Sequence, residues 1–264
     1  MLPFGITALE FALVTFISAF VGIASVIGSS KYVGTRFLAA FAFGVYLWYF
    51  TDTLGDANYL NVNQGFVLSA ELISLVALFA IGMFVFFAMD GRIFVVGEET
   101  ARYGMVVALL AALALGLHGF GEGADFGYSA SVTPSNNLLD AFGGLAPAAS
   151  WVLHKMLEPA IAAVCYVAFA GVAAKKSKDK IIDALTLAAV FVIPSILGSI
   201  AGYYVTFDHT YFFALGLGAS VYAIARVARP MFSAAGEPIS GLSLKMAVAA
   251  IIGFLCIFIS ALLH

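Results

Sequence analysis

The chain has 264 residues, of which 63% are hydrophobic and 10% charged, with a formal net charge of -3. Soluble domains carry about 25% charged residues, so this composition excludes a soluble globular protein and points to a polytopic membrane protein. No basic patch or aromatic-basic pattern suggests nucleic-acid binding. The two cysteines, Cys165 and Cys256, sit in apolar segments without a CxxC spacing, which predicts small buried residues and no disulfide framework.

At about 20 residues per span, apolar stretches predict eight transmembrane helices at roughly 6–28, 36–56, 66–89, 103–127, 147–173, 181–205, 210–228 and 243–263. Together they form one all-α transmembrane domain over 1–264. The first stretch lacks a basic leader, carries Glu10 and stays apolar too long for a signal peptide, so it is read as an uncleaved span. Loops are expected at Ser29-Ser30-Lys31, Asn58 to Gln64, Asp90 to Tyr103, Thr133 to Pro147, Lys175 to Lys180, Asp208-His209 and Pro230 to Ser240. The narrowest break, Thr206 to Thr210, leaves a seven-span alternative.

Charge placement decides between the two counts. Of the 12 Lys and Arg, only Lys155 falls within the interior of a predicted span, away from its ends. Under eight spans the others all gather at junctions on one face: Lys31 and Arg36; Arg92 and Arg102; Lys175, Lys176, Lys178 and Lys180; and Arg226, Arg229 and Lys245. The opposite junctions carry Asp56, Asp140 and Asp208 and no base. The positive-inside rule then predicts a multi-pass cell-membrane protein with basic loops in the cytoplasm and both termini outside. The Lys175 to Lys180 run reads as a topology determinant facing anionic lipid.

Ionisable residues at membrane depth are expensive and therefore functional candidates. The fourth span holds His118, Glu122 and Asp125; the fifth holds His154, Lys155 and Glu158. In each span a His is followed four residues later by a Glu, so both side chains lie on one helix face. Two such helices face to face would bring two imidazoles and two carboxylates together. That donor set suits a divalent transition metal, with zinc leading and iron or manganese as alternatives, and lacks the thiolates a soft Cu(I) site uses. Asp125 shares the Glu122 face and is a further ligand candidate. Asp52, near the outer end of the second span, is placed to guide cations inward. Lys155 can take the place of a second cation, pair with Glu122 or Glu158, or do both. Glycines at 116, 119, 121, 123 and 127 allow close helix contact, and Pro159 can kink the fifth span beside Glu158.

At these residues the chain resembles the ZIP (Zrt/Irt-like) family of divalent metal transporters, as a divergent prokaryotic-type member. That family carries His-Asn-x-x-Asp/Glu-Gly in its fourth span and His-Glu/Lys-x-Pro-His/Glu-Gly in its fifth. Here the stretches read His118-Gly119-Phe120-Gly121-Glu122-Gly123 and His154-Lys155-Met156-Leu157-Glu158-Pro159. The second span, from Phe41 to Asp56, is also similar. The resemblance implies eight spans in a 3+2+3 arrangement, the metal site between spans four and five, an often dimeric state, alternating access, and His118, Glu122, His154 and Glu158 as ligands. Departures are Gly119 for Asn, Lys155 for an acid found in some members, Leu157 for Pro, Pro159 for Gly, Ile193 for an acid and Asp52 for a His; together they favour a single-metal site.

The expected function is transport of zinc, iron or manganese into the cytoplasm, with the metal as substrate and no enzymatic activity. The competing readings are a membrane-embedded zinc-dependent hydrolase, for which His is too scarce at depth, and a metal-binding sensor without transport. A retinal protein conflicts with the three spans that follow Lys155. A polar clamp between two helices would use the same residues structurally.

Overall fold

The computed structural model describes residues 4–56, 69–93, 100–133, 137–232, 241 and 243–262. They form α1 (Phe4–Ser29), α2 (Thr35–Asp56), α3 (Ala70–Ile93), α4 (Thr100–Val132), the short α5 (Leu138–Ala141), α6 (Leu145–Leu157), α7 (Ala160–Phe169), α8 (Ser177–Tyr204), α9 (Thr210–Phe232) and α10 (Leu244–Ala261). The fold is all-α among the described residues, and eight helices are long and apolar enough to span a membrane, with α6 and α7 counted as one span. The expected loop at Asn58 to Gln64 and His264 lie outside the described residues.

The eight-span reading depended on the narrow break after the sixth span. Residues 205–208 leave the helical conformation. Asp208 then starts α9 by accepting the Thr210 backbone N–H at 3.0 Å. A carboxylate that satisfies a free N–H at a helix start makes a firm boundary.

The fifth span is two helices where the sequence suggested one. Pro159 has no N–H, so the helical ladder stops at the Glu158 N–H, which still donates to the His154 carbonyl at 3.0 Å. Two spans run longer than expected: α4 continues to Val132, and α9 continues to Phe232 with Arg226 and Pro230 inside it. Arg226, expected at the basic end of the seventh span, lies on α9 with more than one further turn of helix beyond it. Asp90, expected to open a loop, is likewise inside α3 and buried, and it pairs with Arg226. Each charge cancels the other, which lets both stay on helices.

The α4 helix packs most extensively on α8, α2 on α10, and α3 on α9. Glycines make the α4–α8 contact close. A Cβ at Gly116, Gly123 or Gly127 would run into the backbone carbonyl of Phe191, Ser195 or Ser199, and one at Gly198 or Gly202 into that of Phe120 or Ala124. No side-chain layer separates the two backbones there. Around this pair Ala111, Leu115, Ile161 and Phe191 fill the core. Hydroxyls buried in α1 are satisfied within the helix: Thr15 and Ser18 donate to the Phe11 and Val14 carbonyls at 2.8 and 2.7 Å.

Candidate metal centre

The helical spacing puts His118 and Glu122 on one face of α4, and the end of α6 delivers Glu158 opposite them. His118 Nδ1 lies 2.7 Å from the Leu115 carbonyl oxygen. A carbonyl only accepts, so Nδ1 carries a proton, and Nε2 faces the carboxylates. It stands 3.4 Å from Glu122 Oε2 and 3.6 Å from Glu158 Oε1. The Tyr49 ring from α2 packs edge-on against the imidazole, with centroids 4.6 Å apart, and fixes its plane.

These separations fit one cation. Two donors each about 2.1 Å from a tetrahedral ion are about 3.4 Å apart. One ligand atom from each of His118, Glu122 and Glu158 falls within 4.8 Å of the others, the only such grouping of three among the described residues. The His118 Nδ1 contact is also the outer-shell hydrogen bond that orients a ligating imidazole and raises its basicity.

Lys155 is the fourth member of the centre. Its side chain is fully buried, and its Nζ donates to Glu158 Oε2 at 2.8 Å and to Glu122 Oε2. The ammonium also sits 4.9 Å from the Trp151 ring centroid, while Trp151 Nε1 donates to Thr15 Oγ1 at 3.1 Å. With a neutral imidazole, two carboxylates and one ammonium leave a single net negative charge. The sequence suggested pairing with Glu122 or Glu158; in the structure Lys155 pairs with both.

The other candidates separate from this group. His154 is buried one turn before Glu158, but its Nδ1 turns to the Ser150 carbonyl at 3.2 Å and lies 3.4 Å from the Ser260 hydroxyl of α10. It stands outside the group formed by His118, Glu122 and Glu158. Asp125 pairs with His209, with Oδ1 3.1 Å from Nε2, half-exposed at the end of α4 away from the basic residues. Asp52 is exposed on α2, within electrostatic reach of His154, Glu122, Glu158 and His118. Glu71 is exposed in the first turn of α3. Asp183 accepts from Tyr166 and Lys175 at 2.5 and 2.6 Å on the basic side. Cys165 is buried as expected, but Cys256 is exposed on α10, where an apolar environment suits a small thiol as well as burial does.

Sequence reasoning missed Tyr49, Trp151 and Ser195. The signal for the first two is an aromatic with a polar atom in mid-span. Ser195, buried on α8, fills the space left by Gly119, where a Cβ would meet its hydroxyl.

The three donors are unequally exposed. The Glu122 side chain is 21% exposed, whereas those of His118 and Glu158 are 3% exposed. Toward the basic end of the bundle, Tyr46 and Ser220 share a 3.1 Å hydrogen bond, and Tyr222 and Ala223 are buried.

No protein-family model matches the chain, and no curated protein sequence matches it.

Proposed function

We propose that the chain is a divalent metal transporter that carries zinc, ferrous iron or manganese as substrate across the membrane through His118, Glu122 and Glu158. The observation that carries this reading is the convergence of one imidazole nitrogen and two carboxylates within 4.8 Å inside an eight-span helical bundle. The basic face is cytoplasmic in this reading, both termini are outside, and the metal moves inward past Asp52.

The chemistry follows from the donors. Neutral imidazole and carboxylate hold a borderline cation without thiolate permanence, so binding is reversible. Glu122, the most accessible of the three, meets the ion first. The two acids then take different parts. Glu158 faces His118 with Oε1 and Lys155 with Oε2, so it can serve both at once. On Glu122 the same oxygen, Oε2, faces both His118 and Lys155. An arriving metal therefore competes with Lys155 for Glu122. His154 lies outside this group, with its Nδ1 on Ser150 and Ser260.

The ZIP-like reading gains support from the helix pairing. Exchange of the first three spans with the last three turns the α2–α10 pair into the α3–α9 pair, as a 3+2+3 arrangement requires. The close contacts follow the exchange. Gly44 meets Ala250 and Gly253 meets Phe41 in one pair; Gly218 meets Phe79 and Gly82 meets Leu215 in the other.

The Lys155 bridge favours a second reading, a polar clamp joining α4 to α6 with no cargo. Flux into proteoliposomes that hold a metal-sensitive dye separates the two. Transport predicts zinc, ferrous iron or manganese uptake by the native protein and none by the H118A/E158A double variant. Equal signals from both proteins, or no signal for any metal, reject transport through this site.

A further inference from the structure

The geometry points to the Asp90–Arg226 ion pair as a latch that holds the bundle shut between the metal centre and the basic face. This inference rests on the transport reading above. The pair joins α3 to α9. Tyr103, at the start of α4, adds a 3.4 Å hydrogen bond to Asp90 Oδ1, so the helix that carries His118 and Glu122 is tied to the same point. The Arg226 guanidinium also lies 5.4 Å from the Tyr222 ring centroid, and Tyr222 is one of the residues that close this side.

Burial makes the pair a switch with two states. Asp90 is only 4% exposed. Asp90 is the buried partner and the Arg226 side chain is 22% exposed, so separating the pair in a dry interior leaves the Asp90 carboxylate uncompensated at great cost. If a water-filled passage opens beside them, both charges are hydrated and that cost largely disappears. Opening of the basic side and parting of the pair are therefore one event, and the closed, paired state is stable by itself. The Lys175–Asp183 pair has no such role, because its partners are eight residues apart in the chain and tie α8 only to the segment that leads into it. The Asp125–His209 pair is half-exposed at the opposite end of the bundle, where separation of its partners costs little.

The test reads access directly and needs no metal. Ala223 is fully buried on α9, seven residues beyond Gly216, whose Cβ would touch His118. Ala223→Cys is placed in a background with Cys165→Ala and Cys256→Ala. A membrane-impermeant maleimide is applied from each face of sealed vesicles. The latch predicts slow labelling in this background and at least tenfold faster labelling, from the basic face only, in D90N and in R226Q. The charge swap D90R/R226D returns the rate to its starting value. D90L/R226M replaces the pair with apolar side chains that gain nothing from a wet passage, and is predicted to label no faster than the background. Labelling of D90N and R226Q within twofold of the background, or a charge swap that labels as fast as they are predicted to, overturns the latch, whatever the flux assay gives. Fast labelling in a protein that moves no metal leaves the latch standing and rejects only the transport reading.

Discussion

Glu158 holds Lys155 through one carboxylate oxygen, Oε2 at 2.8 Å from Nζ, and turns the other, Oε1, toward His118. The same ammonium reaches Glu122 on the facing helix. Lys155 thus neutralises part of the charge that a metal would otherwise find, and it does so from a position with no access to solvent.

Replacement of Lys155 by Met separates the cost of this arrangement from its effect on binding. Loss of one partner from a buried ionic group costs about 3–5 kcal/mol. The metal-free variant is expected to melt well below the native protein in detergent. Added zinc should then raise its melting temperature more than it raises that of the native protein, because the ion no longer competes for Glu122. Scanning fluorimetry with and without zinc checks both signs; an unchanged zinc response shows that Lys155 does not oppose the metal.

Glu158→Gln keeps the shape of the side chain and removes its charge. Loss of one of three converging donors is expected to weaken zinc binding at least tenfold, which corresponds to about 1.4 kcal/mol. The protein should still elute as a single species, because Glu122 retains Lys155. Isothermal titration calorimetry gives the affinity.

Asp125→Asn is the contrasting case. Asp125 is held by His209 at 3.1 Å and lies outside the cluster. Zinc affinity is expected to stay within twofold of native. A tenfold loss in the same titration would place Asp125 among the ligands after all.

Gly123→Val tests the packing under the site. The added Cβ would collide with the Ser195 carbonyl, which belongs to the α8 backbone and has no rotamer with which to move away. Overpacking of this kind costs about 1–3 kcal/mol. A lower melting temperature is expected, together with weaker zinc binding, since Glu122 is the preceding residue. Native stability in this variant would mean that the α4–α8 contact is looser than the structure describes.

Much of the fold was legible in the sequence because membrane spans follow from apolar length, and the clustering of Lys and Arg fixed their number. The His118–Glu122 face was legible because helix geometry alone sets it. Spacing by itself says which residues share a face, but it does not say what each residue meets across the gap. His154 has the same i, i+4 relation to Glu158, yet it falls outside the group that His118, Glu122 and Glu158 form, with its Nδ1 on Ser150 and the distant Ser260. Asp125 shares a helix with Glu122, yet His209 from the α8–α9 connection takes it. Arg226 read only as one of the basic residues at a junction, with no partner visible in the sequence. Its partner Asp90 is far away in the chain, and only the folded packing brings the two together.

The direct backbone contact between α4 and α8 has a mechanical consequence. With no side chains between them, the two helices cannot roll or slide independently without steric overlap. On its other side α8 presents Ile193, Leu197 and Ile200 to the surroundings. Bilayer thickness and lateral pressure act on that surface, and any tilt they impose on α8 is transmitted to the helix that carries His118 and Glu122. The positions of the His118 and Glu122 side chains are thereby geared to the lipid environment.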